Sequence, residues 1–324
     1  MPANGGVRAP ADCHGFMPGL ARTSPKSRPA STAAALAALA AALLMTLFAG
    51  RASADQALFW RAVSPAGQEL YMLGSLHMAR TSFYPLKDIL YEAFDRSGTL
   101  VLELDPDSTE LGATLNIISE KGFYAQPDTL FAHLDPDSLE MLSPYAERLP
   151  GGDETSMKPW LAAVTVSVSI LEELGYLVKE GVDRHFLAKA RERDMTFVEL
   201  ETPAEQLNVF ADMSETESLM FLRATLLELK DIEGFMDEMV GAWTDGDAAR
   251  FEEAFFSTYK AWPELSPLLD KVIFDRNQTM FERLEPVLDN PGKPVFAVLG
   301  SGHLVGPRGI PALFAAAGWQ VEKF

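Results

Sequence analysis

The chain has 324 residues, one cysteine, and 46 acidic against 27 basic side chains, for a formal net charge of −19 at pH 7. That balance argues against nucleic acid or an anionic membrane surface as the partner, since neither attracts a polyanion. With Cys13 as the sole cysteine no internal disulfide can close, so the fold must rest on its hydrophobic core.

Residues 1–54 set Arg8, Arg22, Lys26, Arg28 and Arg51 against one acid, Asp12, around an Ala/Leu-rich run from Thr32 to Phe48. With Ala52-Ser53-Ala54 as a small-x-small cleavage pattern, they read as an export leader ahead of a mature N-terminus at Asp55. The expected destination is periplasmic or secreted. Met17 is an alternative start, and an uncleaved anchor is the competing reading, disfavoured by a run rich in Ala rather than Leu or Ile. Removing the leader's +4 from −19 leaves −23 on residues 55–324, which read as a single domain with no low-complexity linker.

The mature chain opens on a predicted β-hairpin, Leu58 to Val63 and Glu69 to Leu73 around Pro65-Ala66-Gly67. A helix over Leu86 to Arg96 leads to a third strand, Thr99 to Leu104, and residues 108–193 are mostly helical. Trp160 to Val178 is the most apolar part of that block, but Glu172 and Glu173 interrupt it, so it reads as a core helix rather than a span. Thr196 to Leu200 is a fourth strand, residues 203–289 are again helical, and Pro294 to Leu299 returns to the sheet. The chain closes with a helix over Ile310 to Ala317 and a short strand, Trp319 to Val321. Few strands separated by long helical insertions predict an α+β fold with a small mixed sheet.

Two of the strands end alike. Tyr71-Met72-Leu73-Gly74-Ser75-Leu76-His77 and Ala297-Val298-Leu299-Gly300-Ser301-Gly302-His303 each run from apolar residues through a Gly-Ser break to a histidine. Each reads as a buried strand delivering an imidazole past its C-terminal end, where ligand clefts form. Carboxylates recur in the same way, in Val101-Leu102-Glu103-Leu104-Asp105 and Phe197-Val198-Glu199-Leu200-Glu201. There, period-two alternation sets Leu102 and Leu104 opposite Val101, Glu103 and Asp105, and Val198 and Leu200 opposite Phe197, Glu199 and Glu201. In the helix from Leu269, Arg276 falls inside the apolar stripe Leu269, Ile273, Met280, Leu284 and Val287, so its guanidinium needs an anion: a structural carboxylate, with Glu103, Glu201 and Asp183 as candidates, a substrate group, or both. Asp183 shares a face with Phe186, Leu187 and Ala190, although its first-turn position also suits a capping role.

Two neutral imidazoles with carboxylates suit a divalent first-row metal that keeps positions open for water, with Glu103 or Glu201 as ligand or general base, Asp183 as a further candidate ligand, and Arg276 on a carboxylate or an oxyanion. No H-E-x-x-H helix is present. His133 and His185 lack the repeated motif and read as surface or structural residues. Ser75 and Ser301 sit outside any G-x-S-x-G elbow and read as turn hydrogen-bonders, and Tyr84 and Pro85 as cleft-rim residues. The stripe Phe235, Met236, Met239 and Val240 reads as core.

The order of motifs resembles the TraB/GumN family, which includes the pheromone-shutdown protein PrgY and the animal TIKI proteases. The resemblance is carried by Leu73-Gly74-Ser75-Leu76-His77 with Phe83-Tyr84-Pro85-Leu86, Leu102-Glu103-Leu104-Asp105, Gly181-Val182-Asp183, and Glu199-Leu200-Glu201-Thr202 with Gln206-Leu207. It continues through Arg276-Asn277 with Met280 and Gly300-Ser301-Gly302-His303-Leu304 to Gly318-Trp319, spanning roughly residues 58 to 324. It implies a fold related to the erythromycin esterase and ChaN group, with His77, Glu103 and His303 at one centre and Arg276 and Asn277 in support. For the TIKI branch it implies metal-dependent proteolysis with manganese- or cobalt-like ions, zinc being a further option, and no organic cofactor. The expectation is an exported hydrolase acting on a peptide or small molecule, not stably held at a membrane after leader cleavage. A non-catalytic binding or sequestering protein for a peptide, small ligand or metal, and a metal-independent His/Glu hydrolase of esterase type, are the alternatives.

Overall fold

The computed structural model describes residues 57–107, 111–289 and 292–324; the leader, its cleavage pattern and Asp55 lie outside the described residues. The first hairpin forms as the alternation and turn predict: β1 (Phe59–Val63) pairs antiparallel with β2 (Glu69–Ser75) in the register Phe59↔Leu73, and Gly67 at φ +88° makes the turn. After α1 (Asp88–Arg96) comes β3 (Thr99–Leu102), two residues shorter than predicted. The helical block contains α2 (Leu111–Lys121), α3 (Pro136–Leu142), α4 (Pro159–Glu173) and α5 (Val182–Arg191). β4 (Thr196–Glu199) follows, then α6 (Pro203–Ala211), α7 (Glu215–Leu229), α8 (Ile232–Asp245) and α9 (Ala248–Phe255). A π-helical turn over Asp270–Phe274 feeds directly into α10 (Asp275–Leu288). The chain ends with β5 (Val295–Gly300), α11 (Ile310–Ala316) and β6 (Gln320–Lys323).

The six strands form one mixed sheet in the order β4-β3-β5-β2-β1-β6. Four neighbours, β4, β3, β5 and β2, run parallel, and β1 is antiparallel to both β2 and β6. All six residues of β5 are buried and helices cover the sheet, so period-two alternation does not separate inside from outside there. The same holds in β3, where Leu100, Val101 and Leu102 are all buried, so both of its opposed faces are covered. Phe94 of α1 and Phe186 of α5 meet Phe296 of β5, fixing these helices on the sheet.

The apolar α4 is buried around most of its circumference and packs against α7, with Trp160 N donating to Ser218 Oγ. Among the described residues no helix is long and apolar enough to cross a membrane. Met236, Met239 and Val240 are core residues as predicted, while Phe235 is only partly buried against the core.

Candidate functional site

Each parallel strand releases one polar residue just beyond its C-terminal end: His77 after β2, His303 after β5, Glu103 after β3 and Glu201 after β4. Neighbouring parallel strands with aligned ends bring 226 positions of sequence separation down to contact distance, as Ser301 Oγ donating to the Ser75 carbonyl at 3.0 Å shows. The backbones approach closely here. A Cβ on Gly74 would lie 2.7 Å from Ser301 Oγ, and one on Gly181 would lie 2.6 Å from the His77 carbonyl oxygen, so only glycine fits at either position.

Glu103 is the hub. Its Oε1 lies 3.7 Å from His77 Nε2 and its Oε2 lies 3.9 Å from His303 Nε2. Gly300 N donates to Oε1 at 2.5 Å, while Oε2 accepts from Arg276 Nη2 at 2.8 Å and Gln206 Nε2 at 3.0 Å. Arg276 is buried inside its helix stripe, as its position in the sequence predicts, and also gives Nε and Nη2 to the two oxygens of Glu201 at 2.9 and 2.7 Å. The π-helical turn before α10 supplies the Val272 carbonyl to Arg276 Nη1 at 3.1 Å. Burial opposes the arginine's charge, but Glu201 and Glu103 outweigh it and raise its pKa further. Burial likewise pushes Glu201 up, yet Arg276 and the Gln206 hydrogen bond bring it below its ordinary value.

Asp183, considered above as a partner of Arg276, goes instead to His77, with Oδ2 2.9 Å from Nδ1. Its first-turn position on α5 is held by Val182 N donating to the Leu76 carbonyl and Asp183 N donating to Ser75 Oγ. It therefore sits on the ring nitrogen away from Glu103, where it orients His77. Glu201 lies behind Arg276, and its carboxylate is engaged by Arg276 and Gln206.

The second histidine has a neutral partner. His303 Nδ1 lies 2.5 Å from Asn277 Oδ1, and Asn277 Nδ2 donates to the Arg308 carbonyl, which fixes the amide orientation and makes Oδ1 the acceptor. His303 thus carries its proton on Nδ1 and a lone pair on Nε2, which is buried without a hydrogen-bond partner. Burial, then Arg276 and His77, push its pKa well below the usual histidine value. For His77, burial also disfavours the charge, but Asp183 by charge and hydrogen bond, with Glu103, outweighs it and raises the pKa.

The donor set fits a divalent cation. Glu103, Asp183 and Glu201 against Arg276 leave a formal −2, His303 offers a bare lone pair, and Glu103 retains one of its four lone-pair sites. Ligands near ~2.1 Å from an ion stand roughly 3.0–3.4 Å from one another. The 3.7 and 3.9 Å separations are slightly wider than that, and among the described residues no three such side chains already stand at ligand spacing.

The other candidates have local roles. His185 stacks on Tyr84, its Nε2 is 3.0 Å from Tyr91 OH, and burial lowers its pKa to about 4. His133 stacks on Tyr124 and pairs with Asp128. Tyr84 OH donates to the Glu180 carbonyl. Gln206, quoted above only as a motif landmark, proves to be the buried clamp between Glu103 and Glu201. The capping box Thr202-Pro203-Ala204-Glu205, readable in the sequence, is what aims the first turns of α6 at that pair.

The family described as TraB/PrgY/gumN matches residues 58–323. The uncharacterized protein YbaP of Escherichia coli (strain K12) is 21% identical over 261 residues, covering 78% of this chain and 92% of that protein; YbaP of Shigella flexneri matches to the same extent. No solved structure matches the chain.

Proposed function

This chain belongs to the TraB/PrgY/gumN family, and from that premise we propose that it is an exported hydrolase, a metal-dependent peptidase whose ion is held by His77, His303 and Glu103. Support comes from one observation above all: two histidines far apart in sequence face a single carboxylate, and one of them presents a buried, unpartnered nitrogen to it. A divalent ion there supplies Lewis acidity and a nucleophile at neutral pH. The protein's own groups do the rest. Asn277 fixes the tautomer of His303, Asp183 orients His77, and Arg276, Gln206 and the Gly300 amide hold Glu103 in place. Because Asp183 raises the proton affinity of His77, this ring would have to give up its Nε2 proton to hold an ion, and loading would weaken as pH falls. Export, to the periplasm or beyond, is part of the proposal and rests on the leader pattern of residues 1–54.

The opposite directions in which their surroundings shift the two rings, His77 up and His303 down, favour a second reading, metal-independent acid–base hydrolysis. In it His77 donates a proton to the leaving group and the neutral His303 takes one from water. Elemental analysis of purified protein before and after chelator dialysis separates the two. The first expects one ion per chain in the wild type, lost in His77→Ala and His303→Ala. Hydrolysis by a wild type that binds none moves the assignment to the second, and a folded protein that neither binds metal nor hydrolyses peptides or esters overturns both.

A further inference from the structure

Gln206 is 1% exposed, and its Nε2 donates to carboxylate oxygens of both Glu103 and Glu201 at 3.0 Å. A flipped amide would set its oxygen against both carboxylates, so the orientation is fixed by the network. Oε1 is then left buried with no donor, and so is Asp183 Oδ1. Both residues line one narrow cleft with Glu103, whose walls are apolar: Leu102, Leu104, Val178 and Val298. The cleft holds about 20 Å³, enough for one water-sized group. Two basic side chains line it: His77, whose Nδ1 pairs with Asp183 Oδ2, and Arg184, which gives Nη1 to Asp107 and Nη2 to the Pro106 carbonyl and of whose nitrogens only Nε has no partner.

Acceptors on a floor of net negative charge, apolar walls and room for a head the size of water describe one ligand chemistry. We propose that the cleft recognises a primary ammonium on an apolar stem, with Gln206 Oε1 and Asp183 Oδ1 accepting two of its three hydrogens while the remaining lone pair of Glu103 stays with the proposed ion. A hydroxyl would satisfy one acceptor and leave the charge unmatched, and an acylated nitrogen keeps a single donor and is too bulky for the space. This rests on the cleft being the substrate end of the proposed hydrolase. It deepens that reading by making the substrate a peptide held by its amino terminus or by a lysine side chain.

Isothermal titration calorimetry on chelator-treated protein, with no metal present, tests the recognition apart from the hydrolysis. The probes are leucyl-alanine amide, its N-acetyl derivative, and Nα-acetyl-lysine methylamide. A lost charge-assisted hydrogen bond corresponds to at least about tenfold in affinity, so one of the two ammonium-bearing probes is expected to bind at least that much more tightly than the acetylated dipeptide. Which of them binds identifies the source. An amino-terminal ligand weakens between pH 6.5 and 9.5 as its ammonium, with a pKa near ~8, deprotonates, whereas a lysine ligand does so only near ~10. Gln206→Leu is expected to abolish the preference, and Asp183→Asn to weaken it if the first variant does not fold. Equal affinity for the acetylated peptide, or no binding by either ammonium probe, overturns the proposal. A protein that loads metal and hydrolyses acetylated substrates as well as free ones keeps the hydrolase reading and loses this one.

Discussion

The two histidine-bearing strand ends make an instructive pair. Both present Gly-Ser-x-His beyond a buried parallel strand, and both imidazoles turn Nε2 toward Glu103. Yet His77 leans on a carboxylate and is 12% exposed at its side chain, whereas His303 leans on a carboxamide and is fully buried. One ring is set to hold a proton and the other to refuse it. The local motif delivers an imidazole, and a third residue from a distant helix decides what that imidazole does.

The largest expected effect comes from removing what both arms share. Arg276→Met leaves Glu103 and Glu201 buried, sharing the Gln206 amide and without their countercharge, which in general costs about 3–5 kcal/mol. Urea unfolding measures it. A loss under about 1 kcal/mol would mean that the two carboxylates part or take up protons without strain, and Glu103 would then not be the rigid hub on which the comparison depends.

Exchanging the partners tests the comparison itself. Asp183→Asn gives His77 the kind of partner His303 has and should lower its pKa, while Asn277→Asp gives His303 a carboxylate and should raise its pKa. Histidine resonances followed by NMR in chelator-treated protein read both changes. Asn277→Ala, which removes the side-chain acceptor of the buried His303 Nδ1–H, should cost about 1–3 kcal/mol of stability. Rings that titrate unchanged in the exchanged variants would assign the difference to burial alone.

Much of this was legible in the chain. The strands and the main helices fall where hydrophobic periodicity and turn residues place them, and the position of Arg276 in an apolar stripe announced a buried countercharge. Less legible was the sheet order. β5, made last of the four parallel strands, inserts between β2 and β3, and only long-range pairing decides that. The distinct partners were also hidden. Asp183 lies 106 positions from His77, and Asn277 lies 26 from His303 on a helix whose stripe, read from Leu269, singles out its neighbour Arg276 rather than Asn277 itself. Glu103 and Glu201 both lie past the ends of their strands, so the strand pattern alone does not fix where they point, and their partners Arg276 and Gln206 come from distant helices.

A smaller and opposed pair of effects follows with pH. The folded value of His77 lies above the ordinary 6.5, so its contribution to stability is complete below 6.5 and fades as pH rises through the folded value. The folded value of His303 lies well below 6.5, so its share is intact above 6.5 and is lost as pH falls toward that value. In metal-free protein, His77→Gln should flatten the alkaline side of a melting-temperature profile and His303→Gln the acid side. If either variant flattened the opposite side, the protonation assignment would be reversed.

The smallest effect should touch one arm only. The cleft rim at Asp105 and Asp107 is held to α5 by Arg191, with Nη2 2.7 Å from Asp105 and Nη1 2.6 Å from Asp107, and by Arg184 on Asp107. Burial pushes Asp107 up, but the two arginines outweigh it and hold its pKa below the ordinary value. Arg191 is about half exposed, so the pairs it makes are screened and Arg191→Ala should cost no more than about 1 kcal/mol. The rim nevertheless borders the cleft that His77 lines. Loosening it should therefore speed diethylpyrocarbonate modification of His77 and leave His303 unreactive, and raised salt should reproduce the change in the wild type by screening the same pairs. Equal acceleration at both rings would mean that the site opens as a whole, and the asymmetry between the two arms would then belong to their hydrogen-bond partners and not to their access to solvent.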